Sequence, residues 1–101
     1  MDQIYLDNNA TTPALPAVWE AMRPFFSEVY GNPASAHRVG SRARRALEDA
    51  RARTAVLLGA FADEVVFTSG ATEANNLALF GQAGQPPGHL LISPVEHPSV
   101  T

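Results

Sequence analysis

Apolar residues recur at helical spacing twice in the first sixty positions and then gather into short runs. Val18, Met22, Phe25 or Phe26 and Val29 follow a period near 3.6, so a first helix is predicted after Pro13 and Pro16. Pro24 imposes a kink or an early end on it, and Trp19 with the paired phenylalanines reads as a packing group. After the Gly31-Asn32-Pro33 turn a longer helix is predicted to about Leu58, capped by Ser35 or Ser41. Gly59 stands where a left-handed residue stops a helix. Val39, Ala43, Ala46, Leu47, Ala50, Thr54 and Leu57 or Leu58 form its expected buried stripe. Arg42, Arg44, Arg45, Glu48, Asp49, Arg51 and Arg53 form the charged side. Glu48 and Asp49 lie three and four residues from arginines, which predicts ion pairs and a mixed, solvated face. Nucleic-acid binding needs uncompensated positive charge, so no such partner is expected.

The pattern changes in EVVFTSGATEANNLAL, Glu64 to Leu79. Val65, Val66 and Phe67 have the β-branched and aromatic character of a buried strand, and the run breaks at Thr68-Ser69-Gly70. Gly70 is expected to permit a turn that a side chain would obstruct, and a helix opens at Ala71. The first N–H groups of a helix lack intrahelical partners and lie at the positive end of its dipole, so an oxyanion there meets donors and a favourable field. Thr72 adds a hydroxyl in the first turn. Taken alone, this is also how an ordinary strand, turn and helix with Thr68 or Ser69 as N-cap would read. A second strand is predicted over His89 to Ser93, reached through the Gly84 to Gly88 loop with Pro86-Pro87. Strand, helix and strand imply a right-handed parallel crossover.

Composition sharpens this in three ways. Charged residues make up 17% of the 101 positions against 46% hydrophobic, below the usual ~25% charged for soluble proteins, so part of the apolar surface is expected to meet a partner. The net charge of −3 is uneven, with seven arginines against six acids through Arg53 and no arginine against four acids afterwards. The half holding the candidate cradle is therefore acidic, and cations for a phosphate must come from elsewhere. Without cysteine there is neither a disulfide framework nor a cysteine-ligated zinc site. His37, His89 and His97 lack metal-ligand spacing, so no metal is assigned. The apolar runs fall short of the ~20 residues that span a bilayer. MDQIYLDNN has no charged segment followed by an apolar one, so a cytoplasmic location is expected.

Four blocks in order carry a family likeness: YLDNNATTP from Tyr5 to Pro13, GNPASAH from Gly31 to His37 before the Gly40 helix, the Ser69 to Thr72 junction, and VEHPSV from Val95 to Val100. Together they resemble the N-terminal part of a cysteine desulfurase, a pyridoxal-phosphate enzyme of the class V aminotransferase family. The resemblance covers essentially the whole chain but only the start of that much longer enzyme, and the ending soon after Pro98 reads as a piece. It implies an α/β fold: the N-terminal part of a fold-type I pyridoxal-phosphate enzyme, incomplete as a domain. Residues 1–60 would be the arm and two helices, and 61–101 the start of the cofactor-binding, mostly parallel sheet with its β-α-β crossover.

The resemblance further implies pyridoxal 5′-phosphate as cofactor, with Ala71 and Thr72 at its phosphate and His97 stacked over its pyridine ring, assisting proton transfer. Without that likeness, His97 reads as a solvated loop residue. Asn8, Ala10 and Thr11 would line the substrate side, although Asp7, Asn8 and Asn9 are equally good turn formers. The implied substrate is L-cysteine, converted to L-alanine and an enzyme persulfide. The implied partners are a second copy in a homodimer and a sulfur acceptor or iron–sulfur scaffold protein. No catalytic residue is expected in this chain itself. All seven basic residues counted with lysine are arginines, and arginine cannot form the Schiff base that a lysine amine forms with such a cofactor. Nor is there a thiol to carry sulfur. Two alternatives stay open: a piece of another class V enzyme, such as an aminotransferase or a selenocysteine lyase, or a non-catalytic remnant that associates with a partner chain.

Overall fold

Proline decides where the first helices begin. In the computed structural model, which describes residues 4–83 and 88–101, Pro16 opens helix α1 (Pro16–Met22) and Pro24 opens the single turn α2 (Pro24–Ser27). At the first helical position proline's missing N–H removes no intrahelical bond, and its fixed φ already suits the helix. The predicted break at Pro24 is therefore present. Arg23 ends α1 by donating its N–H to the Trp19 carbonyl at 3.0 Å, and its guanidinium pairs with Glu20 at 3.2 Å.

Helix α3 (Arg38–Leu58) is the longest element, at 21 residues. Its N-cap is neither predicted serine. His37 takes that place, its Nδ1 accepting from the Gly40 N–H at 3.2 Å. Ser35 is engaged in the preceding turn, where its N–H donates to the Asn32 carbonyl at 3.0 Å, and Ser41 lies inside the helix with its N–H on the His37 carbonyl at 2.9 Å. The Asn32–Ser35 turn folds against the start of α3. Asn32 Oδ1 accepts from the Ala34 N–H at 2.8 Å, and Arg44 Nε donates to the Pro33 carbonyl at 2.7 Å. At the other end Gly59 adopts φ 67°, ψ 29°, the left-handed stop predicted for it, and Ala60 donates back to the Ala55 carbonyl at 2.9 Å.

The buried face of α3 is narrower than the predicted stripe. Gly40, Ala43 and Ala55 are buried, whereas Val39, Leu57 and Leu58 stay 40%, 85% and 69% exposed. The charged side carries the expected ion pairs, Arg51 with Glu48 at 3.3 Å and Arg53 with Asp49 at 2.8 Å. These contacts join residues three and four apart on one helix, where such a pair contributes only ~0.2–0.5 kcal/mol, and Arg51 is half-buried rather than solvated.

The chain divides into two compact units, Met1–Ala62 and Asp63–Thr101. After a 3-10 turn at Ala62–Glu64, the second unit contains helix α4 (Ala71–Gln82) and irregular backbone. The predicted β-α-β crossover and parallel sheet are not formed: neither Val65–Phe67 nor His89–Ser93 carries a strand ladder, and no strand occurs among the described residues. A helix satisfies its backbone within one segment, whereas a strand exists only by pairing with a neighbour. Val65 is buried, but Val66 is 69% and Leu91 95% exposed, so residues with the composition of a sheet interior lack a sheet. Of the Gly84 to Gly88 loop predicted between them, residues 84–87, with Pro86-Pro87, lie outside the described residues.

Candidate functional site

Helix α4 begins without a capping side chain. Its N-cap is Gly70, and its first intrahelical bond runs from the Ala74 N–H to the Gly70 carbonyl at 3.1 Å. The N–H groups of Ala71, Thr72 and Glu73 precede that bond, so the helix geometry gives them no acceptor four residues back. They sit at the positive end of the dipole. Thr68 Oγ1 donates to the Gly70 carbonyl at 3.1 Å, and Asn76 Nδ2 donates to the Thr72 carbonyl at 2.8 Å, bracing the backbone on both sides of the turn. Gly70 does not act as expected. Its φ of 168° is extended backbone that any residue adopts, and a Cβ there would meet nothing within 4 Å. Neither Thr68 nor Ser69 caps the helix with its side chain.

One carboxylate shares this turn. Glu73 Oε2 accepts from both the Ser69 hydroxyl and the Ser69 N–H at 2.6 Å. The hydroxyl bond first, and then the backbone bond, hold its carboxyl below the ordinary value of 4.5. Both stabilise the ionised form. A depressed folded-state value means that the stabilisation is fully present above the unfolded value and is lost as pH falls below 4.5 through the folded one. Amide exchange at Ser69, compared with that of an α3 interior amide, should therefore accelerate as the buffer is acidified below that point. Glu73→Gln should abolish this pH dependence. An unchanged profile in that variant would assign the effect to another group.

The His97 loop is tied to α4 by side chains that sequence reasoning passed over. Asn75 Nδ2 donates to Ser99 Oγ at 2.9 Å across 24 positions of sequence. Ser99 Oγ lies 2.9 Å from His97 Nδ1, and the Ser99 N–H donates to the same nitrogen at 3.1 Å. The Val100 N–H closes the turn onto the His97 carbonyl at 2.8 Å. Asn75 and Ser99 are half-buried, whereas His97 is exposed. Asn75 stands four residues after Ala71 and three after Thr72, on one face of the helix, a spacing that offered a signal for it. Ser99 offered none without its partner. Ala71, Thr72 and His97 thus belong to one unit, with the His97 loop bonded to the helix that Ala71 and Thr72 begin.

Asn8, Ala10 and Thr11 lie in the other unit and form a local turn. The Ala10 and Thr11 N–H groups bond the Asp7 carbonyl at 3.1 and 3.3 Å. Thr11 Oγ1 pairs with the Tyr5 hydroxyl at 2.6 Å, and Asn8 Nδ2 donates to the Tyr5 carbonyl at 3.5 Å. All three residues are exposed. No group of three or more His, Cys, Asp or Glu side chains is placed to hold a metal ion among the described residues, and no helix among them is long and apolar enough to cross a membrane.

The aminotransferase class-V profile matches residues 4–101. The chain belongs to that family. Among its class-V relatives, it is similar to the cysteine desulfurase IscS of Dictyoglomus turgidum, 46% identical over 101 residues that make up 97% of this chain and 26% of that protein. A cysteine desulfurase of Frankia sp. is 53% identical over 100 residues, 96% of this chain and 24% of that protein. The cysteine desulfurase IscS of Rickettsia akari is 50% identical over 101 residues, 96% and 25% respectively. This class-V chain thus spans about a quarter of the length of these relatives. No solved structure matches it.

Proposed function

We propose that this chain supplies the phosphate-binding part of a pyridoxal-phosphate-dependent cysteine desulfurase. The observation that carries this reading is the start of α4, where no side chain caps the helix and the Ala71 and Thr72 N–H groups precede the first intrahelical bond. A phosphate fits there chemically, because its oxygens are acceptors and the turn offers donors. The names of the relatives above favour the desulfurase over the other class-V activities considered. When bound, pyridoxal phosphate supplies the electron sink for bond breaking at the substrate's α-carbon.

The residues of this chain take subsidiary parts. Ala71 and Thr72 would bind and orient the phosphate through their N–H groups and the Thr72 hydroxyl, and the imidazole of His97 would serve at the pyridine ring and assist proton transfer. Asn8, Ala10 and Thr11 line the substrate side. Glu73 keeps its carboxylate engaged with Ser69. The covalent amine and the sulfur-carrying thiol come from outside these 101 residues, which contain no lysine or cysteine. The active assembly is a cytoplasmic homodimer that passes sulfur from L-cysteine to an acceptor or iron–sulfur scaffold protein.

Two measurements on the 101-residue chain test this reading. Pyridoxal phosphate should shift the amide resonances of Ala71 and Thr72, while pyridoxal, lacking the phosphate, should leave them in place. With L-cysteine added, sulfide release should not exceed that of free cofactor. Unmoved amides, or turnover by the chain alone, would overturn it.

A further inference from the structure

We propose that Asn75 and Ser99 are positioning residues for His97, forming a directed hydrogen-bond chain that decides which ring nitrogen carries the proton. The direction of each bond follows from the one before. The Ser99 backbone N–H can only donate, and it points to His97 Nδ1 at 3.1 Å, so that nitrogen is the bare acceptor of the neutral ring. Ser99 Oγ, 2.9 Å from the same nitrogen, must then be a donor too. Its hydrogen is thereby used, and its remaining lone pairs face the Asn75 Nδ2 amide, which donates at 2.9 Å. The proton of the ring is left on Nε2. Ser99 thus reads the polarity of an α4 side chain and passes it to an exposed loop histidine.

The sharing of one helix gives this arrangement its use. Asn75 lies one turn beyond Ala71, so the ring is referenced to the same rigid element that begins the candidate phosphate site. A loop imidazole otherwise rotates and exchanges tautomers freely. The bearing on the cofactor rests on the proposed function, whereas the tautomer does not.

The test uses the 101-residue chain labelled with 15N-histidine, at a pH where imidazole is neutral. Long-range proton–nitrogen correlations report which nitrogen is protonated, and the His97 signals are assigned by their loss in His97→Gln. A single Nε2–H form is expected for the unsubstituted chain. Asn75→Asp puts an acceptor where the amide donor stood, so the Ser99 hydroxyl turns toward the carboxylate and its oxygen must accept from the ring. The Nδ1–H fraction should then rise roughly three- to tenfold relative to Nε2–H, the span one net hydrogen bond supplies. Adding Ser99→Ala to Asn75→Asp removes the relay and should restore the Nε2–H form through the backbone donor, while Ser99→Thr alone keeps a hydroxyl and should leave the ratio unchanged.

A ratio unaltered by Asn75→Asp, or a His97 in the unsubstituted chain indistinguishable from free histidine, would overturn the proposal. The two readings fail separately. A fixed Nε2–H tautomer with Ala71 and Thr72 amides indifferent to pyridoxal phosphate removes the cofactor reading alone, and the converse removes the relay alone.

Discussion

Gly40→Ala should destabilise the N-terminal unit by up to ~2 kcal/mol net, although helix propensity alone predicts a gain. Alanine is favoured over glycine inside a helix by about 0.8–1.0 kcal/mol. Against that, a Cβ at position 40 would lie 2.6 Å from the Asn32 carbonyl oxygen and still closer to that of Ser35. Both are backbone atoms of a hydrogen-bonded turn, and the His37 cap onto the Gly40 amide is in the same place. Overpacking of this kind costs about 1–3 kcal/mol, occasionally more, so sterics outweigh propensity. Gly81→Ala supplies the opposite sign, since a Cβ there meets nothing within 4 Å and only the propensity term remains. Urea unfolding followed by circular dichroism checks both. A stabilised Gly40→Ala would mean that the Asn32–Ser35 turn does not rest on α3 in solution.

On the proposed function, Thr72→Val should weaken pyridoxal-phosphate binding about ten- to a hundredfold. The change keeps the shape and the backbone N–H but deletes a hydroxyl whose proposed partner is a phosphate oxygen, and a hydrogen bond to a charged group contributes ~1.5–3 kcal/mol. The loss should be specific to the phosphorylated cofactor. Equilibrium dialysis against pyridoxal phosphate and pyridoxal separates a lost phosphate contact, which affects the first, from general damage to α4, which affects both. Thr72→Ser should bind nearly as the parent does. Equal affinity of Thr72→Val and parent would remove Thr72 from the site.

The parts of the structure legible in the sequence are those that a few neighbouring residues determine. Pro16, Pro24 and Gly59 punctuate helices through their own backbone limits, and Glu48 and Asp49 find arginines within one turn. The start of α4 at Ala71 is legible too, although not through the turn expected of Gly70 or a cap by Thr68 or Ser69. The N-cap of α3 was misread because Ser35 is a good cap by residue type but is engaged in the Asn32 turn, a competition among local bonds that residue preferences do not rank. Val65–Phe67 and His89–Ser93 fail for a different reason. Their composition suits a sheet interior, but pairing partners make a strand, and the described residues contain no ladder for either. The Asn75–Ser99 contact was invisible because 24 positions separate two residues with no distinctive chemistry until they meet. The family likeness drew attention to His97, but not to what holds it.

The few apolar residues buried among those described also bear on how the isolated chain responds to temperature. They are Ala43, Ala55 and Val65, all small or medium in size. The heat-capacity increment of unfolding grows with the nonpolar area newly wetted. Little such area is sequestered around these three, so this polypeptide by itself would have a nearly flat stability curve rather than a pronounced dome. A steeper curvature would have to arise from surfaces that these residues do not provide for one another.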